Sequence, residues 1–121
     1  MVKALFDSNI LIDHLNGVAA AREEIKRYDD PAISLITWIE VMCGATAEEA
    51  PLARAFLGHF VVLEVTSAVA ERTVILRRER RMRTPDAIIW ATAQVDGRLL
   101  VTRDERAFGL DHPGVRTPYR L

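Results

Sequence analysis

A chain of 121 residues, half of them hydrophobic, can build one domain with its own core and needs no cross-link or structural metal to fold. Its one cysteine, Cys43, excludes an internal disulfide, and no apolar run approaches the roughly 20 residues of a membrane span. A formal net charge of −1 excludes a protein that coats nucleic acid by bulk charge, so any such contact must come from a local patch. The opening Met1-Val2-Lys3-Ala4-Leu5-Phe6 runs into Asp7 without the long apolar stretch of a signal peptide, and a soluble, cytoplasmic protein is expected.

Short apolar runs alternate with longer helical patterns, which predicts βαβ units and a largely parallel sheet in a single domain over residues 1–121. A first strand is expected from Val2 to Phe6, followed by a helix from Ile10 to Leu15 that Ser8 or Asn9 can cap and Asn16-Gly17 stops. A second helix spans Val18 to Tyr28, and Asp29-Asp30-Pro31 breaks it. A strand from Ala32 to Ser34 leads into a helix from Leu35 to Thr46, and another helix covers Ala50 to Leu57. Phe60 to Val65 is β-branched and apolar, a third strand, and the longest helix runs from Ser67 to Arg81. Thr84-Pro85-Asp86 opens a buried helix through Val95, with Thr84 as its cap and Pro85 in its first position. A fourth strand covers Arg98 to Thr102, a short helix Asp104 to Phe108 ends at Gly109, and Gly114 to Thr117 adds an edge strand before Pro118.

Four carboxylates share one kind of context. Asp7 and Asp104 follow apolar strands, Asp86 begins a buried helix, and Glu40 sits six residues after Ser34 on the helix leaving the second strand. In parallel sheets, ligands bind beyond the carboxyl ends of the strands, so four acids distant in sequence can meet in one cleft. Clustered carboxylates repel and raise one another's pKa, and a divalent cation offsets that repulsion. An oxygen-only donor set suits magnesium or manganese rather than zinc. Each acid also has a structural role open to it. Asp7, Asp86 and Asp104 can favour helix starts, and Glu40 can close a capping box with Thr37.

The segments around these acids resemble the motifs of PIN domains: Asp7-Ser8-Asn9-Ile10, Ile33-Ser34-Leu35-Ile36-Thr37-Trp38-Ile39-Glu40, Thr84-Pro85-Asp86-Ala87-Ile88-Ile89-Trp90, and Leu100-Val101-Thr102-Arg103-Asp104. They occur in the family's order across nearly the whole chain, and the short length is similar to VapC toxins. The resemblance implies a doubly wound, three-layer α/β/α sandwich and a magnesium- or manganese-dependent endoribonuclease. It also implies homodimerisation and control by a VapB-like antitoxin. By the match, Asp7, Glu40, Asp86 and Asp104 are the catalytic, metal-binding acids, with Asn9 and Thr102 as polar supports. Alternatives are a PIN-like nuclease of RNA maturation or structured DNA, and a non-catalytic interaction module.

The run Arg77-Arg78-Glu79-Arg80-Arg81-Met82-Arg83 sets five arginines against one glutamate. It reads equally as the solvated end of a helix and as a landing site for RNA phosphates or an acidic antitoxin segment. His14, His59 and His112 share no ligand spacing and are expected in surface or loop positions. Cys43 is expected as a small core residue, and Trp38 and Trp90 in the core or at a dimer surface. Leu11, Ile12 and Leu15 read equally as a groove, a dimer patch or core.

Overall fold

The computed structural model describes residues 1–109 and 112–121. Among these, five short strands form one parallel sheet: β1 (Ala4–Phe6), β2 (Ala32–Ser34), β3 (Val61–Leu63), β4 (Leu99–Val101) and β5 (Val115–Arg116). Their order is β3-β2-β1-β4-β5. The chain moves outward from β1 through β2 to β3, then returns to the other side of β1 to lay down β4 and β5. The sheet therefore changes direction between β1 and β4, where Phe6 pairs with Val101.

The connections are helical: α1 (Ser8–Leu15), α2 (Ala19–Lys26), α3 (Leu35–Gly44), α4 (Ala50–Leu57), α5 (Ser67–Arg80), α6 (Thr84–Val95) and α7 (Glu105–Phe108). Strand side chains alternate between faces, and the core divides accordingly. Leu5 and Leu100 pack with Val69, Leu76, Ile89 and Trp90 of α5 and α6 and with Phe108 of α7. Ala4, Phe6 and Val101 pack on the opposite face with Ile10, Leu11, Ala21, Val41 and Leu57 of α1 to α4. Both faces are covered, giving three α/β/α layers, which is why β1 and β4 read as unbroken apolar runs rather than alternating ones. The larger aromatics lock the layers: Phe6 meets Tyr28 and Phe60 edge-on, and Trp90 meets Phe108 with centroids 5.8 Å apart.

The helix starts correct several sequence expectations. Asp7, not Ser8 or Asn9, is the N-cap of α1, and its carboxylate accepts from the Ser8 N–H. Ser34 caps α3 by accepting from Ile36 N–H, which leaves Thr37 buried in the first turn and Glu40 beyond any capping box. The reciprocal capping box lies instead at Thr46 and Glu49, ahead of α4. Thr84 is the first helical residue of α6 and Arg83 takes the cap position without a side-chain bond. Helix α3 stops at Gly44, short of Thr46.

Strands are shorter than their apolar runs because pairing limits them. Arg98, expected in β4, instead buries its guanidinium against the Ala4 carbonyl and Asp30. Cys43, expected in the core, is exposed, because Val41 takes the inward place on α3. Trp90 is core, whereas Trp38 is half-buried beneath the Arg54 guanidinium. Leu11 is buried, while Ile12 and Leu15 are exposed and line a shallow groove with Leu52. His14 lies within α1, half-buried and stacked on Phe56.

Candidate active site

Asp7 occupies the point where β1 ends and α1 begins, beside the change of direction in the sheet. Its backbone N–H donates to Val101 O at 2.9 Å, so the β1–β4 ladder carries it to its place. One carboxylate oxygen, Oδ1, accepts from Ser8 N at 2.7 Å. The other, Oδ2, accepts from Thr102 Oγ1 at 2.7 Å and Asn9 Nδ2 at 3.1 Å. The residue is only 5% exposed. Burial pushes its pKa up to about 6 against the pull of the Thr102 and Ser8 bonds, and the charges of Asp86 and Glu40 push it further in the same direction.

Thr102 is completely buried just past β4 and joins two of the acids. Its hydroxyl donates to Asp7 and accepts from the Asp104 N–H at 3.0 Å. Asn9 ties the same turn to α1: its Nδ2 reaches Asp7 and Thr102, and its Oδ1 accepts from Arg103 N–H at 3.1 Å. Asp104 turns its Oδ1 back to the Ala107 N–H and caps α7.

Asp86 lies half-buried in the first turn of α6. Burial raises its pKa, and the nearby charge of Asp104 raises it again; Arg83 opposes this, and Glu40 adds to it. Glu40 projects from the second turn of α3 and is exposed. Its Oε1 accepts from Ser8 Oγ at 2.6 Å. The four acids therefore stand at one end of the sheet, with Asp7 and Asp86 both within reach of their neighbours' charges. Among the described residues, however, no three His, Cys, Asp or Glu side chains are grouped closely enough to hold one ion as they stand. The hydrogen bonds account for this spacing, since Glu40 is drawn to Ser8 and Asp104 to its own helix. The donors are all oxygen and include a buried carboxyl that a cation would favour as its anion, a donor set suited to a hard divalent cation.

Two parts of this region escape a motif-based reading. Ser8, taken as a helix-start residue, holds Glu40. Asp13, Arg103 and Tyr119 form a second network behind the acids, in which a nearly buried Asp13 accepts from Arg103 and from Tyr119 OH. The signal was the helical spacing of Asn9 and Asp13, four residues apart on one face of α1.

The arginines at 77–83 separate in space. Arg77 donates to the Met82 carbonyl, Arg80 lies 4.6 Å over the Trp90 ring, and Arg81 ends α5 in the left-handed conformation at φ 53°. Arg83 approaches Asp86, while Arg78 is exposed. No described helix is long and apolar enough to cross a membrane.

Comparison with known proteins agrees with this architecture. A PIN-domain family model matches residues 4–112. The chain is 37% identical over 106 residues to Ribonuclease VapC10 of Mycobacterium tuberculosis, covering 81% of this chain and 80% of that protein. It superposes on a chain of a toxin–antitoxin complex from Klebsiella pneumoniae with a TM-score of 0.92 and 43% identity, covering 98% of this chain and 99% of the other. DNA-bound VapBC from Salmonella typhimurium gives a TM-score of 0.76 at 26% identity, with 96% of each chain covered. The chain belongs to the PIN-domain family, among its VapC-type ribonucleases.

Proposed function

We propose that this protein is an endoribonuclease, the toxin of a toxin–antitoxin pair, and that a VapB-like antitoxin restrains it. The observation that carries the reading is the approach of Asp7, Glu40 and Asp86 at one end of the sheet, with the buried Asp7 carboxylate held by Ser8 N–H and Thr102 and Glu40 held by the hydroxyl of the same Ser8. Such crowding is unfavourable in an empty fold and becomes favourable around a cation. The likeness to a named ribonuclease and to a toxin–antitoxin complex supports the substrate class and the partner.

In this proposal Asp7, Asp86 and Asp104 hold magnesium or manganese, with Glu40 at the edge of the same site. A cation bound there would acidify a water and offset charge on the phosphate. Thr102, Asn9 and Ser8 N–H keep Asp7 aimed by three hydrogen bonds. Ser8 anchors one Glu40 oxygen, leaving the other to accept the proton of the attacking water. The water oxygen forms the new bond to phosphorus, the bond to the leaving ribose oxygen breaks, and that oxygen takes a proton from solvent. The test is incubation with a pool of transfer, ribosomal and messenger RNA. Discrete cleavage with manganese and none with chelator is expected. Undiminished cleavage in excess chelator overturns the metal reading, and no cleavage under any condition overturns the nuclease reading.

A further inference from the structure

We propose that a cleft beside the acids, between the β4–α7 turn and residues 120–121, seats an RNA backbone phosphate neighbouring the one that is cut, with Arg106 and Arg120 as its cationic contacts. This rests on the ribonuclease reading and deepens it.

The cleft's polar lining is Asn9, Arg103, Asp104, Glu105, Arg106 and Arg120. Asn9 and Asp104 also belong to the acid cluster, so the cleft opens directly from the site. An RNA strand with one phosphate at the acids must pass its next phosphate through adjacent space. The acids themselves repel that strand, and the chain's net charge of −1 supplies no general attraction.

The three arginines are not equivalent. Arg103 gives two hydrogen bonds, of 2.7 and 3.0 Å, to the buried Asp13, so its charge is already matched inside the fold. Arg120 makes a fork to Glu105, with Nε–Oε1 2.8 Å and Nη2–Oε2 3.2 Å, while three quarters of its side chain stays exposed. That fork uses two of five N–H donors, holds the guanidinium in place, and leaves the rest for an anion. Arg106 is exposed and makes no ion pair with another described residue. Two guanidinium groups at the mouth of an acidic site, that of Arg120 fixed by its fork to Glu105, suit a phosphodiester, which guanidinium groups bind through paired hydrogen bonds. An acidic protein segment would use the same charges and is the competing occupant.

The experiment measures binding of a fluorescein-labelled, single-stranded RNA of random sequence to the full chain in chelator, by anisotropy across a salt series. Each phosphate contact on a single strand contributes a slope of about 0.7 to the salt dependence. Arg106→Gln with Arg120→Gln should weaken binding and, with one phosphate lost, reduce the slope by about 0.7. The paired lysine variants should restore the slope. In cleavage assays the glutamine pair should raise KM while leaving kcat and the manganese-induced gain in thermal stability intact. Wild-type affinity and slope in the glutamine pair overturn the cleft alone and leave the nuclease reading standing. Failure of the wild-type protein to bind RNA overturns the cleft proposal, while the nuclease reading stands or falls with the cleavage assay. Loss of poly-glutamate binding with RNA binding unchanged assigns the cleft to an acidic protein and also overturns the proposal.

Discussion

The Arg103 guanidinium lies against the Asp13 carboxylate in a two-pronged contact, Nε to Oδ2 at 2.7 Å and Nη2 to Oδ1 at 3.0 Å. Tyr119 OH adds a third donor to the same carboxylate at 2.7 Å. Arg103 stands between Thr102 and Asp104, and its backbone N–H is accepted by Asn9. The contact therefore fastens the turn bearing Asp104 to α1 and to the end of the chain.

Breaking this contact from the acidic side leaves a guanidinium and a phenol without their acceptor. Asp13→Ala should lower the unfolding free energy by about 3 kcal/mol, the lower end for a buried pair because a third of the Arg103 side chain meets water. Tyr119→Phe should cost about 1 kcal/mol. Arg103→Lys keeps the charge but loses the fork, and should fall between them. Urea unfolding measures all three; an Asp13→Ala midpoint equal to wild type would show that the contact does not hold the turn.

Stability without metal should depend on pH through Asp7. Its folded pKa, about 6, lies above the ordinary value of 3.8, so between these pH values the folded state holds a proton that the unfolded chain has lost. Stability in chelator should therefore decline as pH rises through this interval and level off above it. The full penalty is roughly 3 kcal/mol. Asp7→Asn carries no such charge, so it should gain on wild type across the interval and be the more stable protein at neutral pH, while losing cleavage. Manganese should raise the wild-type melting temperature but not that of Asp7→Asn. A difference between the two proteins that does not change with pH contradicts this account.

Ser8→Ala removes the donor at 2.6 Å from Glu40 while sparing the Asp7 cap, which uses the Ser8 backbone. Cleavage should fall about tenfold, as expected when a partner that orients a functional carboxylate is lost. Thermal stability should change by no more than about 1 kcal/mol. Equal activity in wild type and variant would assign the serine a purely structural place.

The arginines of α5 give a separate test of where RNA first lands. Arg78 is exposed, and Arg81 is exposed at the left-handed end of the helix. Charge reversal at both should weaken RNA binding and flatten its salt dependence if they meet phosphates. Binding that is unchanged at every salt concentration restricts these residues to solvation of the helix end.

Much of the architecture was legible in the chain itself. β2 and α4 occupy the predicted residues, and the glycines at 17 and 109, with φ of 83° and 81°, stop α1 and α7 where a residue without a side chain is favoured. Local apolar patterning and punctuation carry this kind of information because each element's buried stripe and stop signal lie within a few residues. The cap residues were less legible. Asp, Ser, Asn and Thr stood side by side at these starts, and which one caps depends on where the preceding strand's pairing ends. Asp7 is drawn into its role by the Val101 carbonyl, from the far end of the chain.

The amino-acid sequence alone determined the alternation of strands and helices, the parallel sheet and the positions of three aspartates at element ends and of Glu40 within the helix after β2, because these follow from periodicity and local propensity. Only tertiary structure decided which side chains serve those acids. Ser8 turns to Glu40, Thr102 bridges Asp7 to Asp104, and Asp13 takes Arg103, across separations of 32, 95 and 90 residues for the bonds to Glu40, Asp7 and Asp13. Short-range patterns cannot encode such partners. The bonds to Asp7 and Asp13 exist because strand pairing between β1 and β4 brings the two ends of the chain within hydrogen-bonding reach, and the bond to Glu40 because β1 pairs on its other side with β2, from which α3 leaves.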